Sequence, residues 1–456
     1  MPYYLQHFFM PDFNHKRLRP VAMVDGNTNA QYLGYVQNVV AGQALAELIY
    51  LDTIPEGFTP QDEPPVEDVP EEVTLAEALE VNVPLPVENG FPSPAADAVQ
   101  GEMEAEELGY REFYAHMFRM DPRFVYNNPV FPMGPNCARD PENPNRIIAQ
   151  ANGYCFYHQG LITVKKLLNV RQDVNFHTGN ITFVGDIAVH GDVYPGFSLT
   201  GSNILVKGRV DGGSIKAKGN VAIEGGIKAA PTALVRAGGT VRLSYCERAK
   251  IITPGNLIID GNCMHSELYV GGSLIVRGRL QGGSVHANGL VYAKNQIGDE
   301  KGAPTKLSLG YNPTEFLHLK ELDTMQEEQN QRIHYYTSRS RKGPHFAAEC
   351  APFLELAQRK LAVIKEFQHA AWRRFTTDIR KAARNKVVAP GYVYPGVEIS
   401  IGRAYHKVVD EQRDIFYCLH EDEIVYGFPA LAKDYAFPSR EEGKDSGPEE
   451  NETGTS

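Results

Sequence analysis

Between Gly179 and Gly310 the chain carries nine acidic side chains and three histidines, His190, His265 and His286. These are the residue types that cleave glycosidic bonds or shuttle protons. Glycan-cleaving enzymes built on repeated coils need two carboxylates facing one bond. Here the acids are dispersed, with no pair two coils apart on a shared face. Hexapeptide acyltransferases set a histidine between regular six-residue units, and the irregular spacing of this segment does not provide that frame. The three histidines read as lone side chains at outward or loop positions. Cys137, Cys155, Cys246, Cys263, Cys350 and Cys418 are scattered without a C-x-x-C pair, so neither a zinc site nor a redox dithiol is expected. The reading is a non-enzyme with no catalytic residue, cofactor or metal.

Charge offers a stronger lead. The same span holds fourteen Lys and Arg, and Lys207, Arg209, Arg277 and Arg279 occupy matched positions in two copies of a repeat. The plain reading is a solvated face that keeps a rod soluble. The sharper reading is a docking face for an acidic partner. That partner could be a second protein or the chain's own stretch from Pro20 to Tyr110, which has eighteen acidic residues and no Lys or Arg. Nucleic acid is not expected, because the sequence pI is about 5.7 and aromatic residues do not alternate with basic ones along the repeats. A second basic run, including Arg359, Lys360, Lys365 and Arg373, reads as the wet side of an amphipathic helix.

The elements that hold these residues follow from a period. Coil starts are placed at Gly179, Gly201, Gly219, Gly239, Gly255, Gly272 and Gly289, at spacings of 16 to 22 residues. Apolar pairs alternate behind each start: Ile181 and Phe183, Ile204 and Val206, Val221 and Ile223, Val241 and Leu243, Leu257 and Ile259, Leu274 and Val276. Period two with one buried face means strands. Internal glycines divide a coil into three short faces, whose corners need backbone that glycine tolerates. Asn180, Asn220 and Asn256, with Ser202, Thr240 and Ser273, are expected to form one corner ladder. The best internal match sets Ile204–Gly219 against Leu274–Gly289, four coils on. The fold class is therefore mainly β, a parallel β-helix or β-solenoid of about seven coils.

Around that solenoid, assigned to 179–312, the chain divides by composition. Residues 1–54 read as a small N-terminal segment, with a short helix expected at Gln43–Leu51. Residues 55–108 are acidic and proline-rich and read as a disordered linker, and 109–178 lead into the solenoid. Residues 313–386 switch to helical spacing, with apolar positions at Leu322, Met325, Ile333 and Tyr336, then at Leu354, Ala357, Leu361, Ile364, Ala371 and Phe375. This is an inserted α-helical hairpin broken near Gly343-Pro344, which packs within one chain and leaves room for a homo-oligomer. Residues 387–438 return as C-terminal strands that cover the solenoid's end, and 439–456 form a disordered tail. Gly391–Gly396 repeats Gly191–Gly196 at five of six positions, each with a Pro-Gly type II turn.

The run from Val174 through Thr178-Gly179-Asn180-Ile181 to Gly191-Asp192-Val193, the central Gly-Gly coils, and the exit Ile297-Gly298 to Leu309-Gly310 together resemble the flagellar assembly protein A family. The resemblance spans about residues 145–430 and departs from the family in the long acidic stretch before the solenoid. It implies a β-solenoid followed by a helical hairpin and returning strands, a part in bacterial flagellar assembly or its regulation, and protein partners. It carries no catalytic residues. The function expected is a non-enzymatic scaffold or regulator that binds on a rigid surface. Two alternatives stand beside it: a polymer-forming cytoskeletal solenoid of the bactofilin kind and, less favoured, a β-helix carbohydrate-active enzyme. With no apolar leader and no run of 18 apolar residues, the expected location is the cytoplasm, with no transmembrane segment.

Overall fold

The computed structural model describes residues 2–13, 21–22, 28–29, 36–54, 57–62, 120–379 and 385–430. The segments read as linker and tail fall almost wholly outside this set.

Parallel strands form a continuous ladder from Leu167 onward, in which each strand pairs with the strand two ahead of it. One face stacks Ile187, Ile204, Val221, Val241, Leu257, Leu274 and Val291. A second stacks Val193, Val210, Ile227, Cys246, Cys263, Leu280 and Ile297. A third stacks Leu199, Ile215, Val235, Ile251, Leu268, Val285 and Leu307. All of these side chains belong to a single buried core. Each fully buried aliphatic side chain is worth ~1.5–3 kcal/mol, so the triangular interior holds the coil closed although no face exceeds a few residues. The coil from Ile227 to Ala237 carries its extra residues as an irregularity between Lys228 and Ala233, which leaves the ladder intact on either side.

The register corrects the expected alignment at the first two coils. Ile181 pairs with Leu199 on the third face, and the true counterparts of Ile204 and Val206 are Ile187 and Val189. Gly201 accordingly sits in an inward column beside Ala217. The corner ladder consists of Asp186, Asn203, Asn220, Thr240, Asn256 and Ser273, without Asn180 or Ser202. Asn203 Oδ1 accepts from Asn220 N–H at 2.8 Å, Asn220 Oδ1 from Thr240 N–H at 2.8 Å and Asn256 Oδ1 from Ser273 N–H at 2.8 Å. Asn180 makes the same kind of bond, to Ser198 N–H at 2.9 Å, at a different corner. Both corners need a side-chain acceptor where the backbone turns out of the sheet, so both spell Gly-Asn-aliphatic and look alike in sequence.

Ahead of the solenoid stands a five-stranded sheet in the order Val125–Tyr126, Tyr3–His7, Ala44–Tyr50, Arg146–Ala149, Cys137–Arg139, with Leu5, Leu45, Tyr126 and Ile147 in its core. Ala44–Tyr50 is thus a strand, not the expected helix. Its composition favours helix, but Tyr3–His7 pairs along one edge, with Leu48 opposite Leu5, and Arg146–Ala149 pairs along the other. Tertiary pairing overrides a weak local preference.

After the coils, helix α1 (Pro313–Ser340) is capped by Asn312 Oδ1, which accepts from Thr314 N–H at 3.0 Å, and α2 (Pro344–Ile379) returns after Gly343. Leu319, Leu322, Ile364 and Ala371 pack between them. Met325, expected in that seam, is 51% exposed, and the side chain of Phe375 lies outside the described set. The strands then return. Lys386–Val393 and Glu398–Ile401 add parallel to the last coil, and Ala404–Lys407, Gln412–His420 and Glu423–Gly427 follow antiparallel. Among the described residues no helix is long and apolar enough to cross a membrane.

Candidate functional site

The four basic residues singled out from the repeat lie along one corner. Lys207 and Arg277 share an outward column, because each donates its N–H one coil back, to Val189 and Ile259. The column in order is His190, Lys207, Glu224, Ser244, Asp260, Arg277 and Lys294. Arg209 and Arg279 stand one step round the corner, each held by the coil before: Arg209 N–H donates to Asp192 Oδ1 at 2.7 Å and Arg279 N–H to Asn262 Oδ1 at 3.0 Å. All four side chains are exposed.

The corner is not one basic strip. Glu224 and Asp260 interrupt the column, Arg209 faces Asp192 at 3.6 Å, and Asp260 is shared by Arg277 at 3.0 Å and Arg242 at 2.9 Å. Exposed ion pairs of this kind contribute only ~0–1 kcal/mol each, so they direct charge locally rather than hold the coil. Four coils at ~4.8 Å each separate Lys207 from Arg277 by roughly 19 Å, about twice the screening length at physiological salt. The two basic ends are therefore electrostatically separate.

The histidines divide. His190 and His265 are exposed, as expected of surface residues. His286 is a correction: it points outward from the third face but is covered by the hairpin. Its ring stacks on Tyr269 at 4.9 Å and on Phe316 at 5.1 Å, and the Tyr311 hydroxyl hydrogen-bonds its Nδ1. Burial holds its pKa down to about 4, with Lys320 acting in the same direction. Around it Leu234, Ile252 and Tyr269 form an outward apolar patch on which Phe316 and Leu317 of α1 sit. Sequence reasoning missed this dock. The available signal was the break in alternation at Ile251-Ile252 and Leu268-Tyr269-Val270, where an apolar residue stands at an outward position.

Both ends of the ladder are covered. At the start, the Asn38 side chain donates to Thr182 O at 2.9 Å and accepts from Val184 N–H at 3.1 Å, and Tyr154 meets Phe183 edge-on. At the finish, Gln412–His420 pairs antiparallel with Lys386–Val393 and buries Ile415 and Tyr417 over the core. Val193 and Val393, from the two copies of the Pro-Gly corner, stand near the two ends of the same inward column, Val193 second after Val174 and Val393 after Ile297, with Gly196 at φ 84° and Gly396 at φ 89°.

Coils of this register, a hairpin inserted after Gly310 and strands that rejoin the last coil coincide with one family. Residues 166–424 match the flagellar assembly protein A beta solenoid domain. The chain belongs to that family. The match covers more than half of the chain and includes every coil from Leu167 to the returning strands, together with the hairpin. The flagellar assembly protein A domain here is thus the solenoid, its hairpin and most of its closing strands, and the N-terminal sheet precedes it. Neither the curated proteins nor the solved structures offer a match.

Proposed function

We propose that this flagellar assembly protein A relative is a non-enzymatic scaffold or regulator of bacterial flagellar assembly, acting in the cytoplasm by binding protein partners along the sides of its solenoid. The observation that carries this reading is the closure of both ladder ends, by Asn38 and Tyr154 at one and by Gln412–His420 at the other. A rod whose ends are occupied offers its flanks. Its rigid coils lose little conformational freedom on association, which favours templated binding. At the C-terminal end, closure by the antiparallel strand Gln412–His420 also occupies backbone groups through which a bactofilin-like solenoid would stack end to end.

The flank assigned to an acidic partner is the corner with Lys207, Arg209, Arg277 and Arg279, and the acidic stretch 55–108 is the internal competitor for it. The test is affinity capture of partners from flagellate cells by the wild-type chain, by Lys207→Glu/Arg279→Glu and by a form lacking 55–108. The expected result is weaker, less salt-sensitive capture by the double variant and stronger capture by the deletion. Capture unchanged in both would remove the corner from the proposal, and long filaments of the purified protein in electron micrographs would replace the scaffold reading with the polymer one.

A further inference from the structure

Helix α2 carries two apolar stripes, and α1 covers only one. Ala357 and Ala371 are buried, and Ile364 is partly buried, on the side facing α1. Rotated about a quarter turn away lie Phe346, Phe353, Leu356, Val363 and Phe367, exposed at 38%, 52%, 50%, 50% and 55%. Phe353 stacks one face towards Tyr336 of α1, with centroids 5.6 Å apart, and stays half exposed. The five residues lie on a frame of alternating three- and four-residue steps, 346, 349, 353, 356, 360, 363 and 367, whose other two positions are Glu349 and Lys360. That is a coiled-coil seam three heptads long, on a helix that already has a partner on another face.

We infer that this seam binds the same seam of a second copy, with the two α2 helices antiparallel. Charge decides the direction. A parallel pair would set Lys360 against Lys360 and Glu349 against Glu349, placing like charges within the seam itself. An antiparallel pair with its two-fold axis between Leu361 and Ala362 sets Leu356 opposite Phe367 of the other copy, Lys360 opposite Val363 and Phe353 opposite Ala370. The flanking Arg359 of each copy then stands beside the other's Glu366. The intrahelical contact of Arg359 with Glu355, at 2.6 Å, is exposed and costs little to exchange. The same axis bisects α2, whose ends are Pro344 and Ile379, so the two helices overlap along their whole length. Each hairpin tip then stops at the base of the other hairpin, clear of the solenoid.

Size decides the strength. The three heptads of the seam, Phe346 to Phe367, span roughly 32 Å, and a strip of that length about 10 Å wide gives a footprint of roughly 650 Å² over both copies, below the standard size of stable interfaces. The dimer therefore dissociates on dilution.

Sedimentation velocity of the full chain across a dilution series tests this. The expected result is a concentration-dependent dimer for the wild type and a monomer for Leu356→Glu/Phe367→Glu. Arg359→Glu alone is expected to weaken the dimer at least several-fold, and Arg359→Glu/Glu366→Arg to restore it. These side chains are exposed in the single chain, so the variants keep wild-type circular dichroism and a change in mass reports association alone. Orientation is read from Phe353→Cys with a short bismaleimide against the wild-type cysteine background: no new cross-link is expected, since the two positions stand 17 residues off register. A monomeric wild type at all concentrations, a dimer untouched by Leu356→Glu/Phe367→Glu, or a Phe353→Cys cross-link would each overturn the inference.

Discussion

His286 lies flat against Tyr269, with ring centroids 4.9 Å apart and planes 11° from parallel, and Phe316 covers its other side. One imidazole thus links the solenoid to the first turn of α1. Burial keeps it neutral, with a pKa of about 4 against an ordinary 6.5. Between those values the undocked chain binds a proton that the docked chain does not, so docking is at full strength above pH 6.5 and weakens as pH falls toward 4. The protection factors of the amides in the first turns of α1, with the pH dependence of intrinsic exchange divided out, should fall between pH 6.5 and 4.5. His286→Phe should flatten that dependence. Global thermal melts will keep a residual slope of the same sign, because burial also holds His7 down to about 3.

Gly283 turns the coil at φ +87°, and a Cβ there would stand 2.3 Å from the carbonyl oxygen of Ser266. The obstacle is backbone of the neighbouring rung and cannot swing aside. Gly283→Ala should cost ~3 kcal/mol or more, combining a left-handed backbone penalty with a steric clash. One coil earlier, His265 holds φ 49° without being glycine. His265→Gly should stabilise by ~0.5–1 kcal/mol. Chemical denaturation of the two variants, moving in opposite directions, checks the corner geometry.

Asn256 Oδ1 satisfies Ser273 N–H at 2.8 Å where the first face begins. Removing the acceptor leaves a half-buried amide without a partner. Asn256→Ala should destabilise by ~1–2 kcal/mol. Asn256→Asp, which keeps the acceptor as Asp186 does toward Asn203 N–H, should lose less. Denaturant midpoints of the pair separate loss of the bond from loss of the amide as such.

All six cysteines are free. Burial pushes the Cys137 thiol up to about 12 and raises Cys155 and Cys418 as well, and Cys263 is raised by the Cys246 thiol 3.0 Å away and by complete burial. Thiolate is the reactive form. At pH 8 a disulfide reagent should therefore leave these four unmodified in the native protein for hours and modify all six at once in denaturant. Rapid native labelling of Cys263 would mean that the coils open locally.

Much of the architecture was legible because it rests on short-range rules. Alternation at Leu274-Ile275-Val276 reports a strand with one buried face, recurrence every 17 residues reports stacking, and the shift to three- and four-residue spacing after Asn312-Pro313 reports the hairpin. The corner ladder was legible as chemistry but not as position. Asn180 and Asn220 solve the same backbone problem at different corners, and only the pairing of Ile181 with Leu199 separates them.

What needed the tertiary structure were choices between partners. Ala44–Tyr50 carries helix-favouring residues and becomes a strand because Tyr3–His7 and Arg146–Ala149 supply both of its edges from distant parts of the chain. The four basic residues keep their predicted columns, while Asp192 and Asp260 from adjacent coils divide the charge between them. His286 passes from surface residue to half-buried dock because a helix that begins 27 residues later folds back over it. Lastly, α2 offers two apolar stripes of similar spacing, and α1, anchored on Ile252 and Tyr269, can cover only one of them. Periodicity states which residues share a face; which face is covered depends on what the rest of the chain brings to it.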